Sequence, residues 1–399
     1  MQPSETIRYH GLDVLRASAM LLGLVFHAPI LYYIPEIADG FKDLGISKDT
    51  MPEMELWVSV IAQLVHSWRM PVFFLISGFF SALVLHRNGL VYFLKDRFVR
   101  IGLTLIIFAS LMDILDGNPT GKLNHFWFLY YLLIITALFV LTVSFGRNSA
   151  AYHLAQGLLA SMQRRSGLIP FAAVMILARI ICDFIDGGTV KIPTTYFEIK
   201  LGGLMYYTVW FFARAGLFAR VAILEILCQS RTLIMLGIVA MFVFPFHHAY
   251  ADGFFGHLRD PDIGFGDTLM GSFFAAATTF LWSLFALGIA HKFVTRGHAI
   301  ITWLVELSYP VYLFHLPPVI ILSALLIGSG LGQATVFFAT IVFAFCVSIG
   351  IYYVFVKFTP LDWIINGHRK SWLKVPFSAR RSRASPTPND CTRIKPVIA

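Results

Sequence analysis

Residues 126–144 read FWFLYYLLIITALFVLTVS, a stretch without a single charged side chain. About 20 apolar residues in an α-helix are enough to cross the hydrocarbon core of a membrane. The rest of the chain has the same character, because 57% of its 399 residues are hydrophobic and only 13% are charged. Soluble domains carry about 25% charged residues. The composition therefore excludes a disordered chain, a coiled coil and an ordinary soluble enzyme, and it indicates an all-α polytopic membrane protein.

Ten stretches of this kind predict a transmembrane helical bundle of about ten spans. Most Lys and Arg residues lie in alternate loops, and such loops stay in the cytoplasm, so we expect both termini to be cytoplasmic. We assign 1–360 to the membrane domain and 361–399 to a basic, disordered tail near anionic lipid, with no role in binding nucleic acid. The predicted spans are 11–34, 56–85, 98–115, 126–144, 167–186, 200–218, 231–249, 268–291, 300–325 and 333–358.

The first span carries three ionisable residues, Asp13, Arg16 and His27. A spacing of eleven residues is about three helical turns, so Arg16 and His27 lie on one face, about 16 Å apart along the axis. Asp13 is within range to pair with Arg16. The face offers either an anion-binding group near the cytoplasm with a proton acceptor deeper in, or an interfacial ion pair and a histidine that hydrogen-bonds a neighbouring helix.

The second span places His66 and Arg69 at mid-membrane, followed by Pro71. A charged group in a bilayer core costs at least about 2.5–3.5 kcal/mol, so it needs a partner or a water-filled cavity. We therefore expect His66 and Arg69 to line a cavity. Pro71 should kink the helix and free a backbone carbonyl.

Arg97 and Arg100 lie at the predicted cytoplasmic start of the third span. Being three residues apart, they would share one helical face. Arginine suits polyanions such as phosphates, and it is equally typical of ordinary cytoplasmic loops. The pair predicts either a phosphate-binding site or a simple orientation signal.

Tyr312 and His315 lie in the ninth span, between Pro310 and a proline pair at 317–318. We expect the prolines to break the helix on both sides of His315. Irregular backbone at membrane depth occurs only within protein or around water. The segment therefore predicts a polar cavity that reaches from the outer side, with His315 at a depth similar to that of His27.

Metal and disulfide chemistry are not expected. The four cysteines have no CxxC spacing, so they predict neither a disulfide framework nor a zinc site. His247 and His248 are adjacent, and neighbouring side chains on a helix diverge by about 100°, which argues against a shared metal ion.

Five short motifs follow one another along the chain. They are Leu12-Asp13-x-x-Arg16 with His27, Met70-Pro71-x-Phe73-Phe74-x-x-Ser77-Gly78-Phe79, Arg97-x-x-Arg100-Ile101, His125-Phe126-Trp127-Phe128-Leu129, and Ser308-Tyr309-Pro310-x-Tyr312-x-x-His315. Their order resembles the acyltransferase 3 family of bacterial integral-membrane acyltransferases. The resemblance covers spans one to nine and looks closest to the glucan biosynthesis protein C branch, which is associated with succinylation of osmoregulated periplasmic glucans.

The resemblance implies an acyl-CoA-dependent O-acyltransferase of the bacterial inner membrane. Such a protein would take an acyl group, here succinyl, from cytoplasmic acyl-CoA and pass it to a hydroxyl of an extracytoplasmic glycan, here a periplasmic glucan. Acyl-CoA would be the donor substrate, and no bound cofactor is implied.

The resemblance also implies roles for individual residues. His27 would be the general base, and the arginines near the cytoplasm would hold the phosphates of CoA. A succinyl donor carries a second carboxylate, for which Arg69 or His66 is a partner. No nucleophile stands next to a base, so direct transfer is favoured over an acyl-enzyme. The expected substrate-binding residues are Asp13, Arg16, His66, Arg69, Arg97, Arg100, Trp127, Tyr312 and His315.

Other functions stay open at this point. A glycan or lipid transporter would also need broken helices and polar cavities, and it would not need a base at His27. A membrane scaffold would depend on the tail at 369–399 instead. The acceptor of an acyltransferase could also be a lipopolysaccharide, an exopolysaccharide or a peptidoglycan sugar.

Overall fold

The computed structural model describes residues 9–115, 117, 119–145, 168–218, 226–256 and 264–367. The regular secondary structure of these residues is all helical, and the one pairing of extended backbone among them is an isolated bridge between Lys122 and Thr195. The predicted all-α class is therefore confirmed.

The α-helices are α1 (His10–His27), α2 (Ile30–Tyr33), α3 (Leu56–Asn88), α4 (Leu90–Arg97), α5 (Thr104–Leu115), α6 (Trp127–Phe145), α7 (Leu168–Ile185), α8 (Leu201–Phe218), α9 (Ser230–Gly256), α10 (Phe265–Phe293), α11 (Ala299–Phe314), α12 (Leu316–Gly328), α13 (Gln333–Ile351) and α14 (Pro360–Asn366).

Seven described helices are long and apolar enough to cross a membrane, and α11 with α12, bent by 70° at their junction, counts as an eighth if the pair is one broken span and not a re-entrant loop. The chain is therefore a multi-pass helical membrane protein. The first and sixth predicted spans are also helical, as α1 and α8, but neither is among those eight. The count of ten spans and the cytoplasmic termini stay predictions. The predicted tail begins within α14, and from residue 368 onward it lies outside the described residues.

Helix α1 is surrounded by protein, which explains why its sequence is less apolar than a lipid-facing span. It packs against α3, α10 and α11. The approach to α10 is so close that a Cβ at Gly11 would lie 2.7 Å from the carbonyl oxygen of Ala290. A helix in such surroundings can carry ionisable residues because neighbouring helices, and not lipid, receive them.

Helix α3 continues through Pro71 from Leu56 to Asn88. Proline has no N–H, so the carbonyl of Ser67, four residues earlier, loses its partner within the helix. The hydroxyl of Thr279 on α10 donates to that carbonyl at 2.7 Å. The predicted freed carbonyl is confirmed, and a neighbouring helix satisfies it.

The third span starts earlier than predicted, because apolar helix runs from Leu90 to Leu115. Within it, Phe98–Leu103 forms a π-helical turn. A π-helix bonds residue i to i+5 and therefore winds more residues into each turn than an α-helix does. The prediction that Arg97 and Arg100 share one face assumed α-helical geometry, and the wider turn spreads the two side chains farther apart around the axis.

The break in the ninth span lies at His315 itself. Helix α11 runs through Pro310 without interruption and ends at Phe314, so the predicted break at Pro310 is wrong. The break on the other side is confirmed, since α12 begins at Leu316 with prolines in its first turn. Proline is tolerated there because the first N–H groups of a helix have no intrahelical acceptor.

Candidate functional site

Two histidines that are far apart in the sequence face each other in the bundle. His27 is the last residue of α1, and His315 lies at the bend between α11 and α12. Their ring centroids are 5.2 Å apart. His315 has no exposed surface, whereas His27 is partly exposed. The structure thus brings together the two histidines for which the sequence predicts a similar depth.

The hydrogen bonds of His315 fix which ring nitrogen carries its proton. Its Nδ1 lies 2.7 Å from the backbone carbonyl oxygen of Tyr312. A carbonyl only accepts, so Nδ1 is the protonated nitrogen of the neutral ring and Nε2 keeps a free lone pair. Nε2 is buried without a hydrogen-bond partner among the described residues. The site therefore contains a buried imidazole with its acceptor nitrogen available.

His125 is a third member of this cluster, and the predicted site residues did not include it. Its ring centroid lies 5.1 Å from that of His315 and 5.4 Å from that of Tyr312. The hydroxyl of Tyr312 donates to the backbone carbonyl of His125. The 3₁₀ turn Asn124–Phe126 holds His125 in place, and both ring nitrogens are buried without partners in the described structure. In the sequence, the motif His125-Phe126-Trp127-Phe128-Leu129 at the start of the fourth span was the feature that could have identified His125 as a site residue.

Arg69 and His66 flank the aromatic ring of Phe26, the residue before His27. The His66 ring is stacked on Phe26 with centroids 4.5 Å apart, and the Arg69 guanidinium carbon is 5.4 Å from the Phe26 centroid. Arg69 is only 4% exposed. Phe26 therefore links the two polar residues of α3 to the end of α1 that carries His27.

Gly23 provides the room in which these groups meet. A Cβ built on Gly23 would lie 2.7 Å from Nη1 of Arg69, 3.6 Å from Nε2 of His315 and 3.8 Å from the Tyr312 ring. A contact below about 3 Å would force the arginine to move. Gly23 thus lets Arg69 reach the face of α1 that also faces His315.

Trp127, a predicted substrate-binding residue, packs against other aromatic rings and not against the histidines. Its ring is 8% exposed and packs against Tyr131 and Tyr207, with centroids 6.0 and 5.3 Å away. Tyr207 in turn stacks on Phe74 of α3. Trp127 therefore belongs to an aromatic layer behind the cluster.

The opposite end of α1 carries a second group of charged residues. Arg16 lies 3.6 Å from Asp13, as the spacing predicted, and its guanidinium carbon is 5.0 Å from the Phe80 centroid. Arg97 lies over Phe93, and the charges of Arg16 and Arg100 are close enough to repel its own.

The backbone around Arg100 is held by a tyrosine of the ninth span. The hydroxyl of Tyr309 donates to the carbonyl of Arg100 at 2.8 Å. Nε of Arg97 and Nε of Arg100 are buried without a hydrogen-bond partner in the described ranges. The charges of Arg16 on α1, Arg97 on α4 and Arg100 in the π-helical turn are thus close enough to influence one another.

Together these residues form two sites joined by one helix. One end of α1 offers imidazole nitrogens that can take a proton, with a buried guanidinium beside them. The other end, about 16 Å away along the axis, offers arginines that can bind an anion. Over the described residues, no group of three His, Cys, Asp or Glu side chains is arranged to hold a metal ion.

Comparison with known families gives one match that covers most of the chain. The model described as an acyltransferase domain matches residues 9–353. The match includes both ends of α1, the π-helical turn and the bend at His315.

Curated relatives match a shorter part of the chain. Proteins named "Glucans biosynthesis protein C" from Escherichia coli strain K12 and from strain O1:K1 / APEC are each 28% identical to it, over 37% of this chain. The chain spans about 42% of the length of these relatives. No solved structure matches the chain.

Proposed function

The chain belongs to the acyltransferase 3 family, and from that premise we propose that it transfers an acyl group from acyl-CoA to a hydroxyl of an extracytoplasmic glycan, with His27 as general base. The observation that carries the proposal is the pairing of His27 with His315 at one end of α1 while three arginines meet at the other end. One end suits proton transfer and the other suits a phosphorylated donor.

The reaction needs a base at the hydroxyl that attacks. Histidine has an ordinary pKa near 6.5, so a neutral ring is available at pH 7. His27 takes the proton of the glycan hydroxyl as its oxygen bonds to the thioester carbon. The carbon–sulfur bond then breaks, and the sulfur of CoA leaves with the proton that His27 held. No second co-reactant is needed.

The donor extends along α1 from the arginines to the histidines. Arg16, Arg97 and Arg100 bind the phosphates of CoA, for which guanidinium groups are suited. The pantetheine arm is long and thin and covers the separation of about 16 Å between Arg16 and His27. Asp13 keeps Arg16 in position through their contact at 3.6 Å. Acyl-CoA is thus a substrate, and the transfer proceeds without a resident cofactor.

The glycan approaches the histidine end. The helix break at His315 supports this direction, because irregular backbone at membrane depth belongs inside protein or beside water. The relatives named "Glucans biosynthesis protein C" favour a glucan as acceptor. We place the protein in the bacterial inner membrane, with donor and acceptor on opposite sides, and succinyl-CoA is the donor that the family branch favours.

A complementation experiment tests the proposal. Cells that lack the protein receive the wild type, His27→Ala, His27→Gln or His86→Ala at matched membrane levels, and periplasmic glucans are analysed by mass spectrometry. His86 is an exposed histidine in the last turn of α3 and serves as the control. We expect the wild type and His86→Ala to add a succinyl mass. Both His27 variants should lose it by about 10²–10⁴-fold, the usual contribution of general base catalysis.

Other outcomes would overturn distinct parts of the proposal. Full activity of His27→Gln would remove His27 as the base and would favour a transporter that performs no chemistry. An unmodified glucan with wild-type protein would exclude the glucan as acceptor. Acylated lipopolysaccharide, exopolysaccharide or peptidoglycan in the same cells would then identify the acceptor class.

A further inference from the structure

A group of polar side chains beside the histidine end of α1 has no part in the acyl transfer described above. Gln63 on α3 is 3% exposed, and Nδ1 of His248 on α9 donates to its side-chain oxygen. His247, the residue before, points to another side of α9, where its ring is close enough to Arg179 of α7 to feel its charge. Amide and imidazole groups thus come together inside apolar spans, where polar side chains are rare and mark functional sites.

His66 connects this group to the reaction site. A charge on the ring of His247 would be felt by His66, and the ring of His66 is stacked on Phe26 with centroids 4.5 Å apart. The Phe26 ring lies 4.9 Å from that of its neighbour His27. Gln63 and His66 are three residues apart and share one face of α3. A row of side chains therefore leads from His27 to α9.

The row lines an internal cleft. Protein surrounds His27, His66 and His247, yet each of these side chains keeps part of its surface accessible. Side chains that are deep in a bundle and still accessible border a space between helices. Gln63 lies about 4.5 Å nearer than His66 to the first residue of α3. The cleft therefore leads from His27 toward the end of the bundle at which α3 begins.

The chemistry of the row suits a neutral ligand with many hydroxyl groups. Imidazole has an ordinary pKa near 6.5, so it is mostly uncharged at pH 7, as is an amide. Both groups donate and accept hydrogen bonds, and so does a hydroxyl. The charge of Arg179 is compensated by Asp183 at 2.7 Å. Phe244, whose ring is stacked on His248 with centroids 6.1 Å apart, adds an apolar face.

We propose that Gln63, His247 and His248 form a subsite for a neutral polyhydroxyl ligand, namely the sugar unit next to the one whose hydroxyl reacts at His27. The inference rests on the proposed acyl transfer and locates its acceptor. The amide and the imidazoles exchange hydrogen bonds with sugar hydroxyls and take no proton from them. Their contribution is binding energy that is the same before and during the reaction.

A second role for these residues would be purely structural, since the bond between His248 and Gln63 joins α9 to α3. The two roles differ in a measurable way. A subsite that binds the acceptor equally before and during the reaction changes the KM for the acceptor and leaves kcat as it was. A structural bond changes stability and acts on the acceptor and the donor alike.

Steady-state kinetics of the purified full-length protein in detergent micelles test the proposal. Glucan from cells that lack the protein is varied at saturating succinyl-CoA, succinyl-CoA is then varied at saturating glucan, and the product is measured by mass spectrometry. The first variant combines Gln63→Leu with His248→Phe, because replacing both partners of a buried hydrogen bond by apolar groups is nearly neutral for stability. Thr279→Val is the matched control, since it removes a different bond to α3.

We expect the double variant to raise the KM for glucan by about 5- to 50-fold, the range for one or two lost hydrogen bonds. Its kcat and its KM for succinyl-CoA should equal those of the wild type. His247→Phe should raise the KM for glucan as well, and His247→Gln should restore part of the loss because it keeps a donor and an acceptor. This second pair of variants decides the question if the double variant does not fold.

The remaining outcomes separate the proposal from the function on which it rests. An unchanged KM for glucan in the double variant and in His247→Phe would overturn the proposal and leave acyl transfer intact. An equal rise in Thr279→Val, or a loss confined to kcat, would assign the residues to the fold and overturn it too. A wild type that transfers no acyl group would contradict the proposed function itself and the subsite with it.

Discussion

Two arginines lie inside the bundle, Arg69 on α3 and Arg179 on α7, and they differ in whether a carboxylate compensates their charge. Arg179 donates through Nε to Asp183 at 2.7 Å, one turn along the same helix, and its guanidinium lies 5.0 Å from the Tyr206 centroid. Arg69 has an aromatic neighbour at a similar distance, in Phe26, and no carboxylate partner among the described residues. The two sites share their cation–π contact and differ in the counter-charge.

The difference separates a charge that is compensated within the fold from one that has no ion-pair partner among the described residues. An intramembrane ion pair is neutral as a whole, so the charges of Arg179 and Asp183 compensate each other without a ligand. An intramembrane cation that stays unpaired beside buried histidines lowers stability and leaves a place for an anion. Residues of this kind are candidates for substrate contact, because natural proteins keep a destabilising group where function requires it.

The largest expected effect comes from removing the carboxylate of the paired arginine. Asp183→Asn should lower the free energy of unfolding by about 3–5 kcal/mol, because it leaves Arg179 as an uncompensated charge. Denaturant-dependent unfolding of the purified protein, followed by tryptophan fluorescence, measures the change.

The control for this variant removes both charges. Arg179→Met combined with Asp183→Leu should recover most of the lost stability, since no unpaired charge remains. If the double variant is as unstable as Asp183→Asn, the packing of these two side chains, and not their charge, determines their contribution to stability.

A smaller effect, of different sign, is expected at the unpaired arginine. Arg69→Met keeps an unbranched apolar chain and removes a charge that has no ion-pair partner among the described residues. The free energy of unfolding without substrate should therefore equal or exceed that of the wild type. The same unfolding measurement applies, and a decrease comparable to that of Asp183→Asn would show that Arg69 has a structural counter-charge after all.

The smallest effect is expected at an ion pair outside the spans. Glu198, in the loop before α8, has its pKa lowered to about 2, first by the side chain of Lys200 and then by hydrogen bonds from Thr194. Its ordinary value is 4.5. A lowered pKa means that the pair stabilises the loop above about pH 4.5 and loses this contribution as the pH falls toward 2.

Carboxyl NMR of Glu198 measures this titration directly. Lys200→Gln should move the midpoint upward from about 2 toward 4.5 because the largest cause of the lowered pKa is removed. Thr194→Val is the control and should move it less. An unchanged midpoint in Lys200→Gln would mean that the exposed pair contributes nothing, in further contrast to the pair on α7.

Seven of the ten predicted spans correspond to helices long and apolar enough to cross a membrane, because hydropathy is a local property. The apolar run at 126–144 becomes α6, Trp127–Phe145, and the spacing of Arg16 and His27 is that of one continuous helix, α1. The predicted break at Pro310 is wrong, because proline alone does not end a membrane helix. Such helices tolerate proline when neighbouring groups satisfy the freed backbone, and Thr279 does so for the carbonyl freed by Pro71.

The contacts within the site could not be predicted from local pattern. Gly23, Arg69 and His315 meet only because α1, α3 and α11 pack together. That no described carboxylate pairs with Arg69 is likewise a property of that packing. His125 was visible as part of a motif, but its distance to His315 depends on residues nearly two hundred positions later in the chain.

The hydrogen bond from Thr279 to Ser67 also has a consequence for the order in which the protein is made. The two residues are 212 positions apart, and ribosomes add about 5–20 residues each second. The carbonyl freed by Pro71 therefore waits roughly 10–40 s for its final donor. Arg179 and Asp183 are synthesised within about a second of each other, so their bond needs no later helix. Helices α1 and α3, which carry His27 and Arg69, are synthesised first. The hydrogen bond to the carbonyl of Ser67 on α3 forms only after α10 has been synthesised.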